Sequence, residues 1–213
     1  MSITLRAALV LATGTALLVT GCARDIGGTA VPAAGGAAAG GQPDNCRTVD
    51  APLVDIPSSE EDEPRLRIPV PAGWKRNSMM DSQIIRFAIV AEDLTADGFS
   101  TNAVVTLESA RGSTETPEEI FEQNRDSLVR MMGASDLSVE SNTTCGLPSE
   151  TTDYTAPPMG MAPERPVIMH AVVAEGDITY LATLTIQTTE PDDPDYQRDA
   201  QEIVDGFQVL VVP

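Results

Sequence analysis

Histidine, the side chain that most often acts as a general acid or base, is scarce in this sequence. His170 is the only histidine in 213 residues, and it lies in an apolar run that places it on one strand face with Ile168 and Val172. A Ser–His–Asp hydrolase presents its serine on a strained turn, typically within Gly-x-Ser-x-Gly, and the sequence contains no such motif. We therefore expect His170 to be a hydrogen-bonded or partly exposed strand residue, and we predict no catalytic residues.

Carboxylates are abundant: 32 Asp and Glu residues against 13 Lys and Arg residues produce a formal net charge of −19. Paired-carboxylate hydrolysis of an envelope substrate is therefore an alternative function that counting alone does not exclude. The charge disfavours nucleic-acid binding, which depends on Lys and Arg contacts to phosphate. It could attract divalent cations or a basic partner, although solvation of an exported protein is the simpler interpretation.

Motifs for metals, nucleotides or redox cofactors are missing from the sequence. Asp93-Leu94-Thr95-Ala96-Asp97-Gly98 resembles the start of a calcium loop, but its twelfth position would be Val104, where a bidentate Glu is required. We interpret this segment as a polar turn. One histidine and widely spaced cysteines do not make a zinc site, and neither a glycine-rich phosphate loop nor Cys-x-x-Cys occurs. The sequence predicts no cofactor and no metal.

The N-terminus carries the clearest functional signal. Arg6 is followed by an apolar run over residues 7–19, which is shorter than the ~20 residues that a membrane-spanning helix needs. The run ends in Val19-Thr20-Gly21-Cys22, which resembles a lipobox, with small residues for the peptidase and a thiol that accepts a diacylglyceryl group. We predict a lipoprotein signal peptide over residues 1–21, cleavage between Gly21 and Cys22, and attachment of lipid, palmitate included, at Cys22.

A lipid anchor at Cys22 would hold the mature chain at the cell membrane, on its extracytoplasmic face. Two or more acyl chains bind a bilayer stably, because each buried CH₂ contributes about 0.8 kcal/mol. Residues 22–45 are rich in Gly, Ala and Pro and predict a flexible tether, which at about 5–6 Å × √n reaches roughly 25–30 Å. Residues 46–213 are then expected to form a single domain. We expect its packing to start near Arg65, because residues 51–64 are acidic and contain prolines.

Cys46 and Cys145 are left as an even pair once Cys22 carries lipid. An exported chain meets an oxidising environment, in which such pairs form and persist as disulfides. We predict a disulfide between Cys46 and Cys145. It would close a loop of about 100 residues, for which the chain-entropy model gives about 4–5 kcal/mol.

Hydrophobic periodicity predicts an α+β domain. Residues 65–70, 83–91 and 102–110 alternate apolar and polar side chains as half-buried strands do, and residues 92–100 are expected to form a polar turn. Further strands are predicted over residues 136–141, 166–175, 178–187 and 207–211. Gly176-Asp177 favours a two-residue hairpin turn between the second and third of these.

Two helices are predicted between the strands. Thr116-Pro117-Glu118-Glu119 combines a capping Thr, a Pro at the first helical position and a Glu at the third, and Gly133 is expected to end this helix. Asp193-Pro194 begins the second helix, which Gly206 ends. The apolar residues assigned to the two helices are Ile120, Phe121, Leu128, Met131 and Met132, and then Tyr196, Ala200, Ile203 and Val204. This order of strands and helices favours a central antiparallel sheet with helices packed on it.

Residues 66–74, Leu-Arg-Ile-Pro-Val-Pro-Ala-Gly-Trp, resemble the opening strand and Pro-x-Gly-Trp turn of the LpqN/LpqT-type lipoproteins of mycobacteria and related actinobacteria. The Thr-Pro-Glu-Glu helix start, the Gly176-Asp177 hairpin and the closing helix and strand fit the same pattern, over about residues 65–212. The Cys46–Cys145 pair departs from it. The resemblance implies a Mog1/PsbP-like α/β/α sandwich and a non-enzymatic envelope lipoprotein. For some members it also implies a link to mycolate-glycolipid transport through membrane transporters.

Candidate contact residues for an envelope protein or glycolipid are Met159, Met161 and Trp74. The two methionines lie in the apolar loop 157–163, and thioether side chains adapt to varied surfaces, although the loop could equally pack over the core. Trp74 follows a glycine turn, and we expect a buried wedge between strand and helix rather than a platform for a ligand. Three functions stay open: a non-enzymatic binding or accessory module, an envelope hydrolase, and a structural or antigenic surface lipoprotein.

Overall fold

The computed structural model describes residues 45–110 and 114–211, and all of them belong to one compact unit. The predicted signal peptide, the cleavage site at Gly21, the lipid site at Cys22 and nearly all of the tether lie outside the described residues. In chain order the elements are β1 (Leu53–Ile56), β2 (Arg65–Pro69), β3 (Trp74–Arg76), β4 (Ile85–Ala96), β5 (Phe99–Ala110), α1 (Pro117–Met132), β6 (Ser135–Thr144), β7 (Leu147–Ala156), β8 (Arg165–Ala174), β9 (Thr179–Gln187), α2 (Pro194–Gly206) and β10 (Gln208–Leu210), with a single 3₁₀ turn at Ser78–Met80.

The strands form two antiparallel sheets. The larger sheet has seven strands in the order β3-β4-β5-β9-β8-β7-β6, and the smaller sheet has the order β1-β2-β10. Each described pair of neighbours is antiparallel. The predicted α+β class, with a central antiparallel sheet flanked by helices, is confirmed. The sequence did not indicate that β2 and β10 leave the central sheet and pair with β1 in a sheet of their own.

The two helices cover opposite faces of the larger sheet. On one face, α2 contributes Ile203 to the main core, together with β2, Phe207 and Val172 of β8. On the other face, α1 contributes Ile120 and Phe121 to a cluster with Ala171 and Val173 of β8. Successive side chains of a strand point to opposite faces of a sheet. The alternation along β8 therefore places α1 and α2 on opposite sides.

Two tight turns join long strands and have glycine at their second position. Asp97-Gly98 links β4 to β5 with φ values of 53° and 75°, and Cys145-Gly146 links β6 to β7 with φ values of 54° and 85°. Positive φ at both central residues is typical of the hairpin turn that matches the twist of antiparallel strands. Since β4 continues to Ala96 and β5 begins at Phe99, the prediction of a polar turn over residues 92–100 was wrong over most of its length.

The structure also differs from the sequence prediction at the β8–β9 hairpin, at the start of the packed domain and at strand β7. The hairpin of β8 and β9 is present, but residues 175–178 separate the two strands, so the predicted two-residue turn at Gly176-Asp177 was wrong. Packing starts before Arg65, because β1 pairs with β2 and Ile56 is buried. Strand β7 was not predicted, because its side chains are mostly polar on both faces and carry no hydrophobic period.

Helix α1 begins as its sequence predicts. The Thr116 hydroxyl accepts a hydrogen bond from the Glu119 backbone N–H, the Glu119 carboxylate accepts one from the Thr116 N–H, and Gly133 ends the helix with φ 72°. Met131 and Met132 were expected in the core, but they are 82% and 53% exposed. Helical geometry puts Met131 on the same side as Ile120, so the last turn of α1 extends past the strands that cover the rest of that side.

Helix α2 is capped by Asp193, whose carboxylate accepts hydrogen bonds from the backbone N–H groups of Asp195 and Tyr196. Gly206 is its last residue, and a Cβ there would lie 2.5 Å from Cγ2 of Val49 and 2.6 Å from Cγ of Pro69. The glycine thus allows the N-terminal segment and β2 to approach the end of α2. Neither helix of the described part of the chain is long and apolar enough to cross a membrane.

Candidate binding groove

A groove of about 930 Å³ lies between helix α2 and strands β6, β7 and β8. Its volume falls within the range of sites that hold a small molecule or several side chains of a partner. One wall is a polar stripe of α2, in which Gln197, Gln201 and Asp205 follow one another at four-residue spacing. The apolar stripe of the same helix, which includes Ala200 and Ile203, packs into the main core. Helix α2 therefore packs Ile203 into the core, while its polar stripe and the adjoining Tyr196, Ala200 and Val204 line the groove.

The floor of the groove is the face of the larger sheet that α2 leaves open. Glu140 of β6 lies opposite Thr151 of β7, and Thr151 lies opposite His170 of β8. Cross-strand partners project from the same face of a sheet. These three residues therefore form a polar row across the floor, and Asp153 and Ile168 form the next row.

His170 is the centre of a chain of hydrogen bonds. Its Nε2 lies 2.7 Å from Oγ1 of Thr144 and its Nδ1 lies 2.8 Å from Oγ1 of Thr151. Thr144 donates onward to Oγ of Ser149, and Nδ2 of Asn142 donates to Oγ1 of Thr151. Each threonine oxygen can then accept one bond and donate one bond if His170 is neutral and carries its proton on Nε2. The network thus selects one neutral tautomer of His170.

Burial keeps His170 neutral. Its side chain is 4% exposed, and desolvation lowers its pKa to about 4, although the charge of Asp205 acts in the opposite direction. Sequence patterning predicted a hydrogen-bonded or partly exposed strand residue, and His170 is hydrogen-bonded and buried. Both ring nitrogens are engaged by threonine hydroxyl groups, so neither is hydrogen-bonded to a carboxylate that could orient the ring as in a catalytic triad.

Acidic side chains concentrate in the groove. Burial raises the pKa of Asp153 and the nearby charge of Glu140 raises it further. Burial, with a contribution from Asp153, raises the pKa of Tyr196 to about 12, so this hydroxyl stays protonated and can donate. Arg47 forms an ion pair with Asp205. Strands β6 and β7 contain no Lys or Arg, so the floor has no positive charge of its own.

Residues 45–51, here termed the N-terminal strap, close one end of the groove. The Sγ atoms of Cys46 and Cys145 lie 2.07 Å apart in a disulfide. The strap is also held to α2, by the Arg47–Asp205 ion pair and by a 2.6 Å hydrogen bond from the Ala51 N–H to the Glu202 carboxylate. The described chain therefore enters the fold beside the groove.

The three contact residues named from the sequence lie away from the groove. Trp74 is 5% exposed, and its Nε1 donates a 2.8 Å hydrogen bond to Oδ2 of Asp199 on α2. It is the expected wedge between strand and helix, and its burial does not favour the prediction that it contacts a partner. Met159 and Met161 are 63% and 95% exposed, so their side chains do not pack over the core.

The groove itself was missed from the sequence. Its polar residues carry no motif and come from three strands, a helix and the strap, so only the helical spacing of Gln197, Gln201 and Asp205 is regular. On the strands, the local signal is the density of Ser and Thr between residues 138 and 155, which is typical of a strand with a polar face. Among the described residues, no group of three or more His, Cys, Asp or Glu side chains is placed to hold a metal ion. The segment that resembled a calcium loop forms the end of β4 and its turn.

Comparison with known proteins adds a family and a fold. Residues 51–210 match the family model described as "Probable lipoprotein LpqN". No curated protein has significant sequence similarity to the chain. Among solved structures, LpqN of Mycobacterium tuberculosis, described as involved in cell envelope biogenesis, is similar with a TM-score of 0.60 and 15% identity over 75% of this chain and 91% of LpqN.

A photosynthetic protein has a related fold. PsbP of the cyanobacterium Synechocystis sp. PCC 6803 is similar with a TM-score of 0.52 and 16% identity, over 76% of this chain and 95% of PsbP. At these identities the two structural matches establish the fold, and the family model establishes the relationship in sequence.

Proposed function

This chain belongs to the LpqN family of probable lipoproteins, and from this membership we propose that it is a lipid-anchored binding module on the extracytoplasmic face of the cell membrane. The match over residues 51–210 is the observation that carries the proposal. The lipobox-like sequence that ends at Cys22 supports the anchor. In M. tuberculosis, LpqN is described as involved in cell envelope biogenesis. We assign this chain a related accessory role, in the transport or assembly of mycolate-bearing envelope glycolipids.

Binding without catalysis accounts for the groove better than turnover does. A general base must be able to accept a proton from a substrate near neutral pH. His170 is buried, its pKa is lowered to about 4, and hydroxyl groups occupy both of its ring nitrogens. The acids and amides around it can still form hydrogen bonds to a ligand. These features favour a site that holds a molecule over one that transforms it.

An exposed methionine surface supports contact with a partner protein or glycolipid. Met159 and Met161 project from the loop 157–163, and Met131 and Met132 are exposed at the end of α1. The two segments approach each other, since a Cβ at Gly133 would lie 3.5 Å from Cγ of Pro157. Flexible thioether side chains that face solvent are typical of surfaces that bind several partners.

The test is photo-crosslinking in intact cells with the full chain. A photoreactive amino acid replaces Met161, and the matched control carries it at Met79, a methionine of equal exposure (95%) beside β3. We expect an adduct with an envelope protein or glycolipid from position 161, none from position 79, and loss of the adduct in a Cys22→Ala background that no longer incorporates acyl label. Equal adducts at both positions, or acyl labelling of Cys22→Ala, would contradict the proposal.

Hydrolysis by carboxylates is the second candidate function, and one observation favours it. Asp153 has a raised pKa and lies in the groove with Glu140, an arrangement that can supply an acid and a base. Purified protein would then turn over an envelope ester or glycoside, and Asp153→Asn would remove that activity. Turnover with these properties would replace the binding module as the better account of the groove.

A further inference from the structure

The two edges of the larger sheet are built differently. At one edge, β3 is three residues long and carries Lys75 and Arg76. Short edge strands and charged side chains, lysine above all, are the usual protection against unwanted pairing. At the other edge, β6 runs for ten residues and contains neither Lys, Arg nor Pro. Within the described residues, β7 is the only strand that pairs with β6.

The outer backbone groups of β6 can be identified from its turn. In the two-residue turn at Cys145-Gly146, the flanking residues Thr144 and Leu147 bond to each other. Hydrogen-bonded and non-hydrogen-bonded positions alternate along an antiparallel pair. The seven residues Ser138–Thr144 pair with β7 without irregularity. The N–H and C=O groups of Val139, Ser141 and Thr143 therefore point away from β7, at the free edge.

The side chains along this edge are open to a partner on both faces. Glu140 is exposed on the groove face, next to the row that holds Asp153. On the opposite face Val139 is 46% exposed. An added strand would place alternate side chains beside Glu140 and beside Val139, at the distance of cross-strand neighbours. The edge thus offers an acidic side chain, Glu140, on one face and an apolar side chain, Val139, on the other to one extended segment.

Charge distinguishes between the two kinds of segment that could pair with β6, a second copy of this chain and a basic segment of another protein. A second copy of this chain would bring the same Asp136 and Glu140 to the edge, on a protein with a net charge of −19. Like charges on neighbouring strands destabilise pairing. A Lys or Arg beside Glu140 would instead reduce the repulsion between Glu140 and Asp153, for which β6 and β7 supply no cation.

We propose that the free edge of β6 binds an extended, basic segment of another envelope protein, which adds to the larger sheet as an eighth strand. Backbone hydrogen bonds from Val139, Ser141 and Thr143 hold the segment, and its Lys or Arg side chains lie on the groove face beside Glu140 and Asp153. The location of the partner rests on the proposed function, whereas the pairing itself rests on the strand geometry.

The test uses the full chain and synthetic peptides of four Lys-Val repeats, four Glu-Val repeats and four Thr-Val repeats. Ser141→Pro removes one outward N–H without touching a bond to β7, and prolines are tolerated at such edge positions. Ser141→Thr is its matched control. We expect the Lys-Val peptide to slow amide exchange across residues 138–144 and to bind Ser141→Pro about tenfold more weakly than Ser141→Thr.

A charge variant covers the case in which Ser141→Pro does not fold. Glu140→Lys leaves the backbone groups at the edge of β6 intact and reverses the charge of one side chain. It should therefore weaken binding of the Lys-Val peptide and leave binding of the Thr-Val peptide unchanged. The proposal is overturned if Ser141→Pro folds and binds as tightly as Ser141→Thr, if amides 138–144 exchange at the same rate with and without peptide, or if the Glu-Val peptide binds as well as the Lys-Val peptide. The photo-adduct at position 161 should persist in Ser141→Pro, so failure of this proposal can be distinguished from failure of the proposed function.

Discussion

Strand β8 contributes to both faces of the larger sheet, and the two faces are packed in different ways. Towards α1 it presents Val167, Met169, Ala171 and Val173, each of which is at most 3% exposed. Towards α2 it presents Ile168 and His170, which form part of the floor of the groove. Neighbouring residues of one strand therefore have different surroundings. Met169 is enclosed by apolar packing, whereas His170 is held by hydrogen bonds beside the open groove.

This difference follows from what each helix packs against. Helix α1 lies on strands β7 and β8 and closes over them with Ile120, Phe121 and Leu128. Helix α2 packs with its apolar stripe towards the main core and β2, so the outer strands β6 and β7 stay uncovered on that face. On that face the polar side chains of β6 and β7 form hydrogen bonds to one another and to His170, whereas under α1 the buried Glu150 is paired with Arg125 of the helix. Both faces stabilise the fold, but only the α2 face leaves room for a ligand beside its core.

Removal of the disulfide should cause the largest loss of stability among the variants on the groove side. Cys46→Ser with Cys145→Ser opens a loop whose ends are 99 residues apart, and the free energy of unfolding should fall by about 2–5 kcal/mol. Denaturant titration of the full chain measures the change. Cys22→Ser, which removes a cysteine and leaves the disulfide intact, is the matched control and should keep the parent midpoint. A double variant as stable as Cys22→Ser would show that the disulfide contributes little to stability.

The pH dependence of stability tests the polar network of the groove. The pKa of His170 is lowered to about 4 in the folded protein, against about 6.5 in the unfolded chain. Between these values the unfolded chain binds a proton that the folded protein does not. The stability contributed by neutral His170 is therefore complete above pH 6.5 and declines by up to about 3 kcal/mol as the pH falls towards 4.

The matched variant for this measurement is His170→Gln, which keeps one donor and one acceptor without titrating. Its unfolding free energy should decline less between pH 7 and pH 4 than that of the parent. The raised pKa of Asp153 has the opposite sign, because its folded form takes up a proton first as the pH falls, and this contribution is present in both proteins. Parallel pH profiles of parent and variant would contradict the assigned network.

Removal of the α1 cap should cause the smallest loss of stability. This change lies on the α1 face of the larger sheet. Thr116→Ala removes the hydroxyl that accepts from the Glu119 N–H, and the unfolding free energy should fall by about 1 kcal/mol. Thr116→Ser retains the hydroxyl and should retain most of the stability. Neither variant should alter peptide binding at β6, because α1 packs on β7 and β8 and the outward backbone groups of β6 are unchanged. An effect on that binding would show that the two faces are coupled.

Local patterns in the sequence predicted much of the architecture. The capping box at Thr116 and the Asp193-Pro194 helix start depend on neighbouring residues alone, so they are readable from the sequence. Strands β2, β4, β5, β8 and β9 were predicted because apolar side chains mark at least one buried face. Strand β7 was missed, because its Thr, Ser and acidic residues pack against other polar groups.

The sequence by itself determined the α+β class, the helix starts, the family and the pairing partner available to Cys46. Only the tertiary structure decided that Trp74 donates a hydrogen bond to Asp199, that Met131 is exposed at the end of α1, and that Glu140, Thr151 and His170 share one floor. The physical reason is the range of the interactions. Caps and periodicity act within a few residues, whereas a groove forms where distant segments leave a sheet face uncovered, and that depends on how α2 packs against β2 and the main core.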